Sequence, residues 1–299
     1  MSSASMPPVD LTGDLPCIGC GYNLRGLSIR EVCPECGVAV RATLLACVDP
    51  EAEELRPLRN PPLVAYGLIV WSWAAVAAAL SVWAVRLNDA AQLWFPPVIN
   101  TDWTMEAGLF FIALSALGST VLVCPVRGHC SEGRVKAFAA VLLYLPLLFV
   151  HYKLHGEYDR LIGTPFITNE GLDVGRSMLR LAENLLIVLI VLGLRDNAVS
   201  LAQRSIVMRT GRVDTQPMTA LVSTLVLASV GDLLRLAFPS LGGVPGDLLT
   251  TFEQVIIAVG SFLFTLGLFG VGIDTLRLRG VLLRPSPGLA DILDDAHDR

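Results

Sequence analysis

Leu63-Val-Ala-Tyr-Gly-Leu-Ile-Val-Trp-Ser-Trp-Ala-Ala-Val-Ala-Ala-Ala-Leu-Ser-Val-Trp-Ala-Val85 runs for 23 residues without a charge. As a helix it is about 34 Å long, enough to cross a hydrocarbon core of about 30 Å. Residues 1–62 hold no apolar run long enough for a signal-peptide core, so this segment is expected to target the chain and stay as a signal anchor. The whole chain of 299 residues has the same character, being 53% hydrophobic and 16% charged. An average soluble domain is about 25% charged. Disorder is therefore excluded, and so is a soluble enzyme wetted on every side. A net charge of −5 argues against nucleic acid as a partner, because phosphate attraction needs a basic face.

Five further segments follow the same pattern. Ala107–Val126 is an uncharged run of 20 residues, and Lys136 and Lys153 bracket 16 more. Snorkelling of both lysines extends that short third segment. Leu179–Leu194 carries Glu183 and Asn184, and Met218–Phe238 carries Asp232 and Arg235. Gln254–Ile273 is again uncharged. With six crossings and the N-terminus inside, sixteen of the 22 Lys and Arg residues fall in the inner segments. Removing the fourth crossing reverses the balance, so the preference of basic residues for the cytoplasmic side selects six. Both termini are then cytoplasmic, at the inner (plasma) membrane, with the lipid bilayer as the first partner. Trp83, Trp94 and Trp103 are expected at the outer interface, within or beside a loop over 86–106. The alanines of the first segment, with Gly267 and Gly270 in the sixth, are expected at close helix contacts. Pro146 is expected to kink the third helix.

Outside the membrane, the informative stretch is Cys17-Ile-Gly-Cys20-Gly21-Tyr22-Asn23-Leu24-Arg25-Gly26-Leu27, followed by Cys33-Pro34-Glu35-Cys36-Gly37. Four thiolates in a tetrahedron suit a soft dication, and each Cys-x-x-Cys turn supplies two. Gly21 and Gly37 follow the second cysteine of each pair, where a positive φ aims amide groups at sulfur. The alternatives are two disulfides or unrelated free thiols. A reducing cytoplasm and a segment too small for a self-sufficient core both favour a metal.

These residues resemble the two knuckles of a rubredoxin, and so a short zinc ribbon. They are also similar to the small Cys-x-x-Cys-Gly-Tyr-Asn-Leu-Arg-Gly-Leu ribbons that precede membrane domains in many uncharacterised bacterial proteins. The resemblance covers roughly 25 residues of the 299. It implies a small β-hairpin ribbon with Cys17, Cys20, Cys33 and Cys36 as ligands of Zn2+. Rubredoxins have a much longer gap between knuckles, with aromatic residues shielding iron. That insert is missing here, which favours zinc over iron.

Ionisable side chains inside a membrane are costly and invite a functional reading. In the six-span topology Arg180, Glu183, Asp232, Arg235, Glu253 and Gln254 all fall near the outer face, as do His151 and His155. Pairing of Arg180 or Arg235 with Glu183 or Asp232 would lower the cost of burial. The set is read either as structural ion pairs or as an outward polar site for an ion or small solute. His151 and His155 have metal-binding spacing on a helix, with Glu157 and Asp159 following. Cys124, His129 and Cys130 form a second thiol cluster between spans two and three. There is no Gly-x-Ser-x-Gly elbow, no Walker loop and no His-Glu-x-x-His helix, so the residues give no enzyme reading.

The expectation is an all-α membrane protein of about six transmembrane helices with an N-terminal ribbon. Residues 1–15 are expected to form a disordered tail, 16–40 the ribbon, 41–62 a linker stiffened by Pro57, Pro61 and Pro62, 63–280 the membrane domain and 281–299 an acidic cytoplasmic tail. The acidic run Asp49, Glu51, Glu53 and Glu54 is expected to be a solvated face of the linker, and the loop from Arg195 to Pro217 an inner basic one. The expected function is a membrane protein with a structural or docking zinc module. The alternatives are a transporter or channel, and a redox protein with iron in the four-cysteine site.

Overall fold

The computed structural model describes residues 10–48, 58–92, 95, 100–101, 103–126, 132–159, 174–203, 217–237 and 244–283. The acidic run 49–54, Trp94, His129, Cys130, the basic loop beyond Gln203 and the acidic tail lie outside the described residues.

Among the described residues, six helices are long and apolar enough to cross a membrane: Pro61–Ala91, Thr104–Leu122, Gly133–Tyr158, Val174–Ala202, Met218–Ala237 and Thr251–Leu282. By element, α1 is Val40–Val48 and α2 is Pro61–Ala91. α3 is Thr104–Ser119, closed by a 3-10 turn, Thr120–Leu122. α4 is Glu132–Leu142, and α5 is Tyr144–His151, continuing as a π-helix over Tyr152–Tyr158. α6 is Val174–Ala202, α7 is Pro217–Ala237 and α8 is Val244–Leu282.

Helix ends differ from the uncharged runs for physical reasons. Pro61 and Pro62 do not stop α2 but begin it. A first-turn N–H has no helical partner to lose, and the side-chain oxygen of Asn60 accepts from the Leu63 N–H at 3.3 Å. At its other end α2 continues past Arg86 and Asp89, into the expected loop. The third span breaks at Leu143. Pro146 lacks the N–H that the Leu142 carbonyl would accept, so α4 ends at Leu142.

The spans close into a ring: α2 packs on α3 and α8, α3 on α5, α4 and α5 on α6, α6 on α7, and α7 on α8. Lipid gives no hydrophobic drive between helices, so close approach and interhelical hydrogen bonds hold the ring. A Cβ at Gly118 would lie 2.5 Å from the Trp71 backbone nitrogen, which makes this glycine the point where α3 meets α2. Gly270, expected at a contact, faces open space. The Trp71 indole N–H donates to the Tyr144 hydroxyl at 3.0 Å, and Ser115 donates to the Trp71 carbonyl at 2.9 Å. Trp83 turns inward rather than anchoring the interface, and donates to Thr265 Oγ1 on α8 at 2.9 Å. Before α2, the Arg59 N–H donates to the Pro125 carbonyl at 3.0 Å, which ties the entry of α2 to the end of the second span.

Candidate functional site

Two clusters lie in different parts of the chain. The first is the cysteine knuckle. Cys17 N–H donates to the Tyr22 carbonyl and Gly21 N–H to the Cys17 carbonyl, at 2.7 and 2.8 Å. The second pair repeats this closure: Cys33 N–H to Val38, and Gly37 N–H to Cys33, again at 2.7 and 2.8 Å. Gly21 and Gly37 adopt φ of 80° and 73°, the left-handed conformation that the turn requires. Antiparallel bridges Pro16–Asn23 and Val32–Ala39 flank the turns. The expected hairpin amounts to such isolated bridges, because the backbone between the knuckles turns again at Gly26. Asn23 shapes that turn: its side-chain oxygen accepts from the N–H groups of Leu15 and Arg25. Leu24 and Val40 pack with Cys17 and Cys33 in a core of a few side chains.

The four thiols are free, with Cys17 Sγ 3.5 Å from Cys36 Sγ and Cys20 Sγ 3.6 Å from Cys33 Sγ. All four sulfurs lie within 4.8 Å of one another. A tetrahedral ion with bonds of about 2.3 Å separates its sulfurs by about 3.8 Å, so the cluster fits a metal with little movement. The Gly19 N–H points at Cys17 Sγ at 3.4 Å. Burial raises the Cys33 thiol, but the amides of Cys36 and Glu35 and the neighbouring thiols outweigh it and bring it down to about 7. Cys36 is pushed up to about 12, chiefly by burial. Of the second expected thiol cluster, Cys124 lies within the described residues, and its sulfur stands 3.8 Å from the Val126 carbonyl.

The second cluster sits at the end of the ring remote from the entry of α2. His151 Nδ1 lies 2.7 Å from Glu183 Oε1, and His155 Nε2 lies 3.8 Å from Glu183 Oε2. The other nitrogen of His155, Nδ1, is 2.7 Å from Asp159 Oδ2, and Arg176 Nε is 2.7 Å from Asp159 Oδ1. Arg180 pairs with Asp232 at 3.4 Å and also reaches Ser261. Arg235 pairs with Glu253 at 3.6 Å. The structure therefore gathers the expected residues Arg180, Glu183, Asp232, Arg235 and Glu253 at one end of the bundle. Each arginine takes a different acid, and Glu183 is left to the histidines. Glu157 turns away to bind Lys153. Sequence reasoning missed Arg176 and Arg86. The signal for Arg176 was its place one turn before Arg180, and for Arg86 its place at the end of the first uncharged run.

Below the charges, a cavity of about 180 Å3 is lined by residues from all six spans. Arg86, Arg180, Glu183 and both histidines form its polar end. Ala75, Ala78 and Ala79 leave the room, and Leu221 and Leu268 belong to the apolar wall.

Fold and sites together define a multi-pass helical membrane protein with a four-cysteine cluster able to hold a metal ion. Comparisons with family models, curated proteins and solved structures find no match to this chain.

Proposed function

We propose that this chain is an integral protein of the cytoplasmic membrane, with both termini in the cytoplasm, whose N-terminal knuckle is a structural zinc site serving as a docking module for a protein partner. The observation that carries the reading is the closed tetrad: four sulfur donors within 4.8 Å leave no open position for chemistry on the ion. Zinc supplies the folding energy that so small a core lacks. Tyr22 and Val32, 42% and 56% exposed, give the knuckle apolar surface for a partner. Purified full-length protein is expected to contain zinc in the knuckle and to lack visible absorption. A coloured, iron-loaded protein would instead support the redox reading. Deleting residues 10–40 is expected to strip associated proteins from the membrane domain, and unchanged association contradicts docking.

A second reading, transport or conduction of a small ion, is favoured by the cavity with its charged end. It predicts an ion flux in proteoliposomes, followed with proton- and potassium-sensitive dyes, that Glu183→Ala abolishes. A flux indifferent to this substitution contradicts it.

A further inference from the structure

The buried charges can be assigned one by one, and the assignment leaves Glu183 and Arg86 outside the direct arginine–acid pairs. Arg176 is held by Asp159, Arg180 by Asp232 and Arg235 by Glu253. Arg86 lies against the Trp83 ring, 5.8 Å from its centroid. Among the described residues, the ion-pair partners of Glu183 are the two histidines alone. A nearly buried carboxylate needs a cation beside it, and neutral imidazoles are not cations. Among the described residues Arg86 lines the same cavity without a direct pair to Glu183, and a proton or a metal ion held between the imidazoles and the carboxylate would bring a compensating charge into contact.

The orientation of the histidines suits a metal ion. The Asp159 carboxylate, itself fixed by Arg176, accepts from His155 Nδ1–H, which in the neutral imidazole leaves the Nε2 lone pair free. That Nε2 is buried and has no hydrogen-bond partner. A carboxylate behind a histidine whose other nitrogen looks into a cluster is the arrangement that orients metal ligands. His151 presents Nδ1 to the same carboxylate, and its Nε2 occupies the space that Gly108 leaves, 2.6 Å from where a Cβ would stand. One nitrogen of each histidine and a Glu183 oxygen lie within 4.8 Å of one another. A tetrahedral ion with bonds of about 2.05 Å sets donors about 3.4 Å apart. The three donor atoms already stand within 4.8 Å of one another, so a modest adjustment of the side chains makes the site. The histidines lie on a segment whose winding changes from α to π at Tyr152, where the Asp159 N–H donates to the Leu154 carbonyl. Such π segments recur at functional sites.

We propose that His151, His155 and Glu183 bind a divalent ion of the zinc class, with Asp159 as the positioning residue for His155 and the fourth coordination position open to the cavity. Two imidazoles and one carboxylate select zinc, cobalt or nickel over calcium and magnesium, which want more oxygen donors. Arg86 and Arg180 line the same cavity and further disfavour weakly held cations. Three protein ligands with a vacant fourth place distinguish this site from the closed knuckle. The site stands whether or not the knuckle docks a partner, and whether or not the bundle conducts ions.

The test uses the full chain in detergent, stripped by a chelator and titrated with cobalt. Thiolate-to-cobalt charge-transfer bands report the knuckle, and weaker ligand-field bands without charge transfer report the His–Glu site. Wild type is expected to bind two equivalents. Glu183→Gln and His155→Gln are each expected to lose one equivalent and keep the charge-transfer bands, whereas Cys33→Ser loses those bands and keeps the other equivalent. Asp159→Asn is expected to weaken the second equivalent by about 10- to 100-fold. Glu157→Gln, one residue outside the cluster, keeps both. A single equivalent in wild type, removed by Cys33→Ser, overturns the proposal. So do two equivalents retained in both Glu183→Gln and His155→Gln. If one of the two variants fails to fold, the other decides together with the wild-type stoichiometry.

Discussion

The two clusters gather ligand-type side chains by opposite means. In the knuckle, backbone turns do the work: two copies of one five-residue closure bring four thiols together within 20 residues of chain. At the far end of the ring, positions 151, 155 and 183 meet because two spans pack side by side, and ion pairs to Asp232 and Asp159 hold the helices in rotation. The first cluster carries its geometry in local sequence but has almost no core. The second has a whole bundle behind it, and its only local signature is the spacing of His151 and His155. Loss of metal should therefore unfold the knuckle and merely loosen the other site.

The largest effect should come from removing metal from the knuckle. Structural zinc contributes on the order of 10–16 kcal/mol to such modules. Chelation, or Cys33→Ser, is expected to make residues 10–48 protease-sensitive while the membrane helices keep their circular dichroism. A metal-free knuckle that resists proteolysis would erase the contrast. Next in size is the buried pair Arg180–Asp232. Asp232→Ala leaves a buried guanidinium without its acid and should cost about 3–5 kcal/mol. Unfolding in mixed micelles measures this, and the double variant with Arg180→Ala should regain part of the loss. An additive pair would show that the two charges do not depend on each other. A smaller effect is expected at Gly118. Valine there meets the backbone of α2, and over-packing of this kind costs about 1–3 kcal/mol. Least of all, Lys153→Ala removes a half-exposed pair with Glu157 and should leave the melting midpoint unchanged.

This contrast also sorts what could be read from the amino acids alone. Six spans were legible because uncharged runs as long as the bilayer have no other common use. Their ends were not, because Arg86, Arg176 and Arg180 lie inside helices, where a charge looks like a boundary until its partner is known. The cysteine tetrad was legible because both halves repeat one motif. The polar cluster was legible as a depth: Arg180, Asp232, Arg235 and Glu253 were placed together by topology. Which acid meets which base was not, since that depends on helix rotation. Glu183 lies one turn from Arg180, yet it faces His151, 32 residues earlier in the chain. Trp83 shows the same limit. Its position suited an interfacial anchor, but the indole N–H found Thr265 across the ring.

Six crossings with the N-terminus inside require the knuckle on one side of the membrane and the first inter-helix connection on the other. Impermeant maleimide labelling of intact cells tests it directly. Arg30 on the knuckle and Trp103 before α3 are both exposed. Trp103→Cys is expected to label in intact cells, and Arg30→Cys only after permeabilisation. Labelling of Arg30→Cys in intact cells would contradict the account.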